Sequence, residues 1–345
     1  MRNYLGLFFL VGIPLTLNAQ IIKGTITDAS SNEPLASVNI YFSGTSKGSI
    51  TDFNGDFEIP YYENSQSVFT IALLGYETQT FSDPLTTDFS NLKLQPKVGE
   101  LPAVFLYPDP WSRKKKEKYF INQFLGTTAI AMECRILNLD KVRMRFNPFT
   151  KKMTAYAEEP VLIENRDLNY LVTYNLIDFE ISFEEVSLEH MQVSGSMQVP
   201  THYMISSYFV GSAFFKELNE KDSKRAWVRR HRNRAYKVSE VRLFKLIAEG
   251  KLEEEGYHLV FDRKKVAVKD HIRTRKKGAL YVVDFREKKY EVMDPQNFQS
   301  AIYLDAPGLV ISDAGNVINY SVLKTGGFVS NLKVSGMLPL DYKME

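Results

Sequence analysis

The sequence predicts a mainly β protein with two domains, on three observations. Short runs that alternate apolar and polar residues recur along the chain, as in "IIKGTIT" and "DFEIPY", and a period of two is typical of strands with one buried face. A chain of 345 residues is longer than one hydrophobic core usually organises. The balance of charge also changes sign along the chain, near Trp111.

This change of charge supports the division into domains. Residues 20–110 carry 4 Lys and Arg against 11 Asp and Glu, a net charge of −7, whereas residues 111–345 carry 38 against 30, a net charge of +8. Prolines at 102, 108 and 110 indicate a linker, which we place at 99–113. Opposite net charges give information about binding partners and about docking of the two parts on each other, and they do not indicate the fold.

The first residues are typical of a secretory signal peptide. One positive charge at Arg2 precedes an apolar run from Tyr4 to Leu17, and the small residue Ala19 follows. We therefore predict a signal peptide at 1–19, cleaved near Ala19, and a protein exported to the periplasm or the cell surface. Glycine and proline interrupt the run, which is too short for a membrane span, and we predict no transmembrane segment elsewhere.

One stretch carries a family resemblance. "GTITDASSNEPLASVNIYFSGTSKGSITDFNGDFEIPY", followed by "FTIALLGYETQTF", resembles the carboxypeptidase regulatory-like domain, to which we assign residues 20–98. The resemblance implies a seven-stranded transthyretin-like β-sandwich, a secreted cell-envelope setting and an accessory role without peptidase chemistry. The phrases "EPVLIENRDLNYLVTYNLIDF", "YFVGSAFFKEL" and "LPLDY" resemble the C-terminal parts of secreted proteins with the same domain, which implies architecture and no mechanism.

The stretch "TDFNGDFEI" has two interpretations. Asp52, Asn54 and Asp56 alternate like the first three ligands of a calcium loop. The loop position that needs glycine is Phe57, however, and strand patterns rather than helices flank the stretch. We expect a structural turn, and a weak calcium site at these three residues is the alternative.

The type of turn decides which residues share a face. Asn54-Gly55 favours a type I′ hairpin, which would oppose Ile50 to Ile59 and bury both on one face. A type I turn over Asp52–Gly55 is the rival and would shift the pairing by one residue. The register with Ile50 buried is our prediction.

Catalytic patterns are weak in this sequence. "GTSKG" at Gly44–Gly48 fits the hydrolase nucleophile elbow, but a strand pattern rather than a helix follows it. Five histidines stand far apart without a zinc signature. The only cysteine, Cys134, excludes an intramolecular disulfide and a cysteine metal cluster, and we expect it to pack in a core. We predict no cofactor, no catalytic residue and, as the favoured interpretation, no enzyme.

The C-terminal region, 114–345, is predicted to be a larger antiparallel β-rich domain. Helical spacing indicates a leading helix near 114–134, interrupted near Gly126, and a helical insertion near 222–250. Within the insertion Ser239 can serve as an N-cap and Gly250 as the end of a helix.

The insertion begins with a basic segment. Lys221–Lys237 contains eight Lys or Arg and one acid, which is typical of a solvated helix face or of a surface for anions. Export removes the setting in which nucleic acid would be the partner. The open alternatives are an acidic protein surface, an anionic envelope glycan and lipid headgroups. The candidate binding residues are Lys224, Arg225, Trp227, Arg229, Arg230, Arg232 and Arg234.

The favoured hypothesis is an exported, non-catalytic cell-envelope protein that acts in binding or assembly through its β-sandwich and its basic C-terminal domain. An envelope protein or an anionic glycan is the expected partner. Two alternatives are a hydrolase of glycan or peptide with a site in the C-terminal domain, and a calcium-stabilised adhesion module.

Overall fold

The computed structural model describes residues 20–61, 67–73, 75–97, 108–185, 202–319 and 322–344. The predicted signal peptide and most of the predicted linker lie outside these ranges. The protein is mainly β, as predicted. Its buried apolar residues form three clusters in the described part of the chain, one in the N-terminal sandwich and two in the C-terminal region. None of the described helices has the length and apolar character needed to cross a membrane.

The N-terminal domain is the predicted seven-stranded sandwich. Its two sheets have the strand orders β4-β1-β7 and β3-β2-β5-β6. Inward-facing residues alternate with exposed ones, so that Phe57 and Ile59 are buried between Asp56, Glu58 and Pro60. The strands are β1 (Ile21–Asp28), β2 (Asn39–Phe42), β3 (Gly48–Ile50), β4 (Asp56–Pro60), β5 (Phe69–Ala72), β6 (Gln79–Phe81) and β7 (Leu92–Leu94).

The predicted Asn54-Gly55 hairpin is wrong. β3 pairs with β2 in one sheet, whereas β4 pairs with β1 in the other. Only Gly55 of the two turn residues has a positive φ, +78°, and its N–H donates to the carbonyl of Asp52 at 3.1 Å. The rival turn over Asp52–Gly55 therefore forms. Because the chain crosses between sheets here, Ile50 does not share the buried face of β4 and is 58% exposed.

The middle part of the chain is a six-stranded sheet with a helix packed on it. The sheet order is β8-β11-β12-β10-β9, and the long strand β13 pairs along β12. The predicted leading helix forms as two helices, with Gly126 at φ +94° between them. The elements are α1 (Arg113–Phe124), α2 (Ala129–Met132), β8 (Cys134–Ile136), β9 (Val142–Asn147), β10 (Lys152–Ala157), β11 (Val161–Asn165), β12 (Tyr170–Glu185), β13 (His202–Glu217), α3 (Glu220–Ser223) and α4 (Ala226–Lys237).

The last part of the chain surrounds its own buried cluster. Two sheets, β15-β14-β18-β19-β21 and β16-β17-β20, pack with two helices around it. The elements are α5 (Glu240–Glu249), β14 (His258–Phe261), β15 (Lys264–Val266), α6 (Val268–His271), β16 (Ile272–Lys277), β17 (Leu280–Phe285), β18 (Lys289–Met293), β19 (Gln299–Leu304), β20 (Gly308–Ser312) and β21 (Leu323–Gly327).

The helical insertion links the two C-terminal clusters. Ala235 of α4 belongs to the middle cluster, and the buried face of α5 belongs to the last. As predicted, the Ser239 hydroxyl caps α5 by accepting from the N–H of Arg242, and Gly250 ends the helix at φ +70°. The chain therefore passes from one core to the next between Lys237 and Ser239.

Candidate functional site

Three loop segments and one strand end converge where the sandwich meets the middle sheet. We call this region the junction; its segments are Gly44–Gly48, Asn165–Tyr170, Ser212–Glu217 and Leu340–Tyr342. The first is the sequence that fits a nucleophile elbow, and here it is a loop between strands β2 and β3.

The sandwich extends the middle sheet at the junction. The Gly44 N–H donates to the Ala213 carbonyl at 2.5 Å, and the Phe215 N–H donates to the Thr45 carbonyl at 3.1 Å. The loop therefore pairs with the edge of β13 through the backbone. Beside this pairing the Tyr41 and Phe214 rings lie 5.1 Å apart. A Cβ on Gly48 would come within 2.6 Å of the Phe214 ring, which explains a glycine there.

The segment Leu340–Tyr342, which we call the strap, holds the same loop from another direction. The Leu340 N–H donates to the Gly44 carbonyl at 2.8 Å. The Asp341 carboxylate accepts from the Ser46 N–H at 3.0 Å and from the Ser46 hydroxyl at 2.8 Å. Ser46 is thus a docking residue in this structure. The Tyr342 hydroxyl donates to Asn233 Oδ1 at 2.6 Å, which connects the strap to α4.

Arg232 was predicted to be part of an exposed binding surface, and this prediction is wrong. The side chain is buried beneath the junction. It is 7% exposed, and its guanidinium donates to both Glu217 carboxylate oxygens, at 2.9 and 2.7 Å. Its Nε donates to the Leu168 carbonyl at 2.8 Å, and its guanidinium carbon lies 3.8 Å from the centroid of the Tyr170 ring. Arg232 therefore joins α4 to the turn before β12 and to the end of β13.

Asn169 completes this buried network. Its φ is +55°, a left-handed conformation that asparagine tolerates better than most residues. Its Nδ2 donates to Glu217 Oε2 at 3.1 Å and to the Asn219 carbonyl at 3.0 Å. Burial raises the pKa of the nearby Tyr170 hydroxyl, and the charge of Arg232 opposes that rise. The sequence analysis missed Glu217, Asn169 and Asp341; the turn sequence "NRDLN" was the available signal for Asn169.

The other predicted cations remain on the surface. Lys224, Arg225, Arg229, Arg230 and Arg234 are exposed. Arg225 pairs with Asp222 at 2.6 Å. Trp227 is partly buried, with its ring 5.6 Å from the ring of His231, and His231 Nδ1 lies 2.7 Å from Asp167 Oδ1.

Three cations of α4 form an exposed row, which we call the basic stripe. Arg230, Arg234 and Lys237 stand at positions i, i+4 and i+7, and all three are exposed. This spacing places them along one side of the helix. Among the residues that the structure describes, no acidic side chain forms an ion pair with them.

Two of the candidate calcium residues, Asp52 and Asp56, each use one carboxylate oxygen to accept hydrogen bonds from the protein. Asp52 Oδ1 accepts from the N–H groups of Asn54 and Asp56, both at 2.9 Å. Asp56 Oδ1 accepts from the Thr25 hydroxyl at 2.5 Å. These bonds stabilise the turn between the sheets. Across the described ranges no three His, Cys, Asp or Glu side chains are grouped so as to hold a metal ion.

Cys134 packs against the middle core, as predicted. Burial raises the pKa of its thiol to about 12, with smaller contributions from Asp167 and Glu133. The thiol is therefore protonated at neutral pH, and a protonated thiol is a poor nucleophile.

Comparison with known proteins gives a match for the N-terminal domain. No curated protein matches the chain. The model of the CarboxypepD_reg-like domain family matches residues 22–105, which contain six strands of the sandwich and all of β1 except its first residue. The N-terminal domain of this protein is a CarboxypepD_reg-like domain.

Proposed function

We propose that this chain is an exported, non-catalytic protein of the cell envelope that binds a linear anionic glycan through the basic stripe. The observation that carries the proposal is the row of three exposed cations on α4, Arg230, Arg234 and Lys237, without acidic partners in the described part of the chain. At 1.5 Å per residue the row is about 10 Å long, a length that suits several successive charges of a polymer.

The helix alone does not account for this row. The helix dipole favours cations in the last turn, which accounts for Arg234 and Lys237. It gives no reason for Arg230, which lies in the middle of the helix. Like charges four residues apart destabilise a helix by about 0.2–0.5 kcal/mol, and a bound polyanion would relieve that repulsion. Binding of an anion is therefore the function that this arrangement favours.

The rest of the chain supports an envelope setting. The first nineteen residues are typical of a secretory signal peptide, and resemblance to the carboxypeptidase regulatory-like family implies a secreted context. The sandwich contacts the C-terminal region through the junction, and the contacts there do not involve the stripe residues. The stripe therefore stays accessible while the sandwich is docked.

The test measures binding of polygalacturonate to the full chain by isothermal titration calorimetry at low and high salt. Replacing Arg230, Arg234 and Lys237 by Ala should weaken binding about tenfold or more at low salt, because each cation is close to the polymer. The matched control replaces Lys264, Lys265 and Lys277, three exposed lysines of the last part of the chain, by Ala. It removes the same net charge and should change affinity less than about twofold.

Two outcomes would overturn the proposal. Equal weakening in both triple variants would mean that overall charge, and not the stripe, drives binding. Tighter binding of poly-glutamate than of polygalacturonate would mean that an acidic protein, and not a glycan, is the better partner.

A further inference from the structure

The strand β13 forms an edge of the six-stranded sheet, and the junction covers only its end. The outward-facing backbone groups of Ala213 and Phe215 pair with the loop of the sandwich. In an antiparallel pair, backbone groups face the neighbouring strand and the open side alternately. The residues that continue the outward set are therefore Ser207, Phe209 and Gly211.

This part of the edge has no partner within the described ranges. There β13 pairs with β12 on one side, and no described backbone group bonds the outward N–H and C=O of these three residues on the other. Natural edge strands usually prevent pairing with charged residues, proline or bulges. The sequence "SYFVG", from Ser207 to Gly211, contains no charged residue and no proline. One irregularity of the β12–β13 pair lies before it, between Met204 and Ser206, and the other is an extra residue of β12 between Leu176 and Asp178, on the side away from the open edge.

The two faces of this edge differ. On one face Phe209 packs 5.4 Å from the Phe124 ring of α1, and the Ser207 hydroxyl donates to Gln123 Oε1 at 2.8 Å. On the other face Tyr208 and Val210 are 48% and 50% exposed. The strand is thus held in place from one side and presents apolar side chains on the other.

Acidic side chains of β12 border the exposed face. Asp178 is exposed and accepts from the Tyr208 hydroxyl at 2.8 Å. Glu184 is exposed and accepts from the Tyr203 hydroxyl. Glu180 pairs with Lys152 at 2.8 Å. Between Tyr203 and Val210, the charged side chains that β12 and β13 place on this face are therefore acids, whereas Arg143 and Arg145 of the same face lie two strands further from the edge, on β9. A cation two strands away from Asp178 could extend across Tyr208 to reach it.

We propose that the β13 edge between Ser207 and Gly211 binds an extended segment of another protein in which apolar and basic residues alternate. The segment adds a strand to the sheet, and the outward backbone groups supply the hydrogen bonds. Its apolar side chains lie beside Phe209, on the face that α1 covers. Its Lys or Arg side chains lie along Tyr208 and Val210 and reach the carboxylates of β12.

The junction argues against a second copy of this chain as the occupant. If β13 of a second copy paired antiparallel with this edge about a two-fold axis at Phe209, Ala213 and Phe215 would lie opposite residues 205 and 203 of that copy. The loop Gly44–Gly48 already pairs with Ala213 and Phe215. The regular part of the edge between the irregularity and the junction, Ser207–Gly211, is about 17 Å long, which fits a short added strand and not another strand of sixteen residues.

The test uses the full chain and the labelled peptide Lys-Val-Lys-Val-Lys-Val-Lys. Fluorescence anisotropy measures binding, and amide hydrogen exchange by NMR measures protection of the Ser207, Phe209 and Gly211 N–H groups. We expect binding with protection of these three amides. The peptides Lys-Val-Lys-Pro-Lys-Val-Lys and Glu-Val-Glu-Val-Glu-Val-Glu should bind at least about tenfold more weakly, because one lacks an N–H in the ladder and the other repels the acids.

A charged residue on the edge should prevent binding. Val210→Lys places a cation on the exposed face of the edge strand and should weaken peptide binding at least about tenfold. Tyr303→Lys, at an exposed strand position of the last part of the chain, is the matched control and should bind as the wild type does. Thermal melts of both variants check that they fold.

Three results would overturn the proposal: peptide binding without protection of the three amides, unchanged binding by Val210→Lys, or protection that appears with rising protein concentration in the absence of peptide. The last would identify a second copy as the occupant. The basic stripe is separate from this edge, so the variant lacking the stripe should bind the peptide normally whatever its affinity for polygalacturonate.

Discussion

Arg230 and Arg232 show how two arginines on one helix take different roles. Arg230 is exposed, whereas Arg232 is buried with Val228 and Ala235 on the side of α4 that faces the middle sheet. Those three buried positions have the spacing of a helix face, so the sequence contained a signal that Arg232 points inward. Its partner Glu217 lies fifteen residues earlier on β13, and a pairing of this kind is not visible in local spacing.

Arg232→Met should destabilise the protein by about 3 kcal/mol, because removing one partner leaves Glu217 without its buried counter-charge. Arg230→Met removes the same charge from the same helix at an exposed position and should change stability by no more than about 0.5 kcal/mol. Urea unfolding of the two variants makes the comparison. Equal losses of unfolding free energy in the two variants would mean that the ion pair between Arg232 and Glu217 does not stabilise the fold.

Asp109 gives stability a dependence on pH. Burial raises the pKa of its carboxyl, but the hydrogen bond from Lys116, the N–H groups of Trp111 and Phe146, and the charge of Lys116 together lower it below 3.8. The Lys116 Nζ lies 2.5 Å from Asp109 Oδ2. Because the folded pKa is below the unfolded one, the ionised carboxylate stabilises the fold above the unfolded pKa.

Asp109→Asn should therefore cost about 2 kcal/mol at neutral pH, where a charge-assisted hydrogen bond is lost. The difference from wild type should persist down to the unfolded pKa of 3.8 and disappear as the pH falls through the lower folded value. Unfolding free energies of both proteins measured between neutral and strongly acidic pH check this. A difference that stays constant over the whole range would show that the charge of Asp109 is not its cause.

At the scale of elements, local patterns predicted strands and capped helices better than pairing. Alternation predicted the strands of the sandwich, and Ser239 with Gly250 predicted the ends of α5, because these signals involve residues close in sequence. The turn over Asp52–Gly55 was assigned to the wrong type, since a turn sequence does not say whether the next strand stays in the same sheet. The junction was not predicted either, because Ser46 and Asp341 are 295 residues apart.

The contact between the loop Gly44–Gly48 and the strap should respond to a single carboxylate. Asp341→Ala removes the acceptor of two hydrogen bonds from Ser46 and should cost about 1–2 kcal/mol. It should also increase hydrogen exchange at the Gly44 and Phe215 amides, which pair across the junction. Asp305→Ala is the control, because the Asp305 carboxylate forms an exposed ion pair with Lys324 and does not contact the strap. Unchanged exchange at both amides in Asp341→Ala would contradict the role given to the strap.

At the scale of the whole molecule, the opposite net charges of the two parts did not predict how they dock. At the junction Lys47 of the acidic part forms an ion pair with Asp341 of the basic part, at 3.7 Å. Each part therefore contributes a residue whose charge is opposite to its own net charge. Backbone pairing, the hydrogen bonds of Ser46 to Asp341 and the contact of Tyr41 with Phe214 also hold the junction together. Net charge describes the field at a distance, whereas docking depends on the few groups in contact.

The strap connects parts of the chain that have separate cores, and its removal should release the sandwich without unfolding it. Replacing Leu340, Asp341 and Tyr342 by Ala removes the side-chain bonds to Ser46 and Asn233, and ending the chain at Pro339 also removes the backbone bond to Gly44. Because each core is buried within its own elements, both variants should keep the wild-type far-ultraviolet circular dichroism spectrum.

Small-angle X-ray scattering should then show a larger radius of gyration, more for the shortened chain than for the triple variant, and thermal unfolding should separate into more than one step. The radius of gyration should increase more in the shortened chain because that variant also loses the backbone bond from Leu340 to Gly44. A radius of gyration equal to that of the wild type in the shortened chain would mean that the strap is not needed to hold the sandwich. The contacts that both variants retain, the pairing of the loop Gly44–Gly48 with β13 and the contact of Tyr41 with Phe214, would then be sufficient.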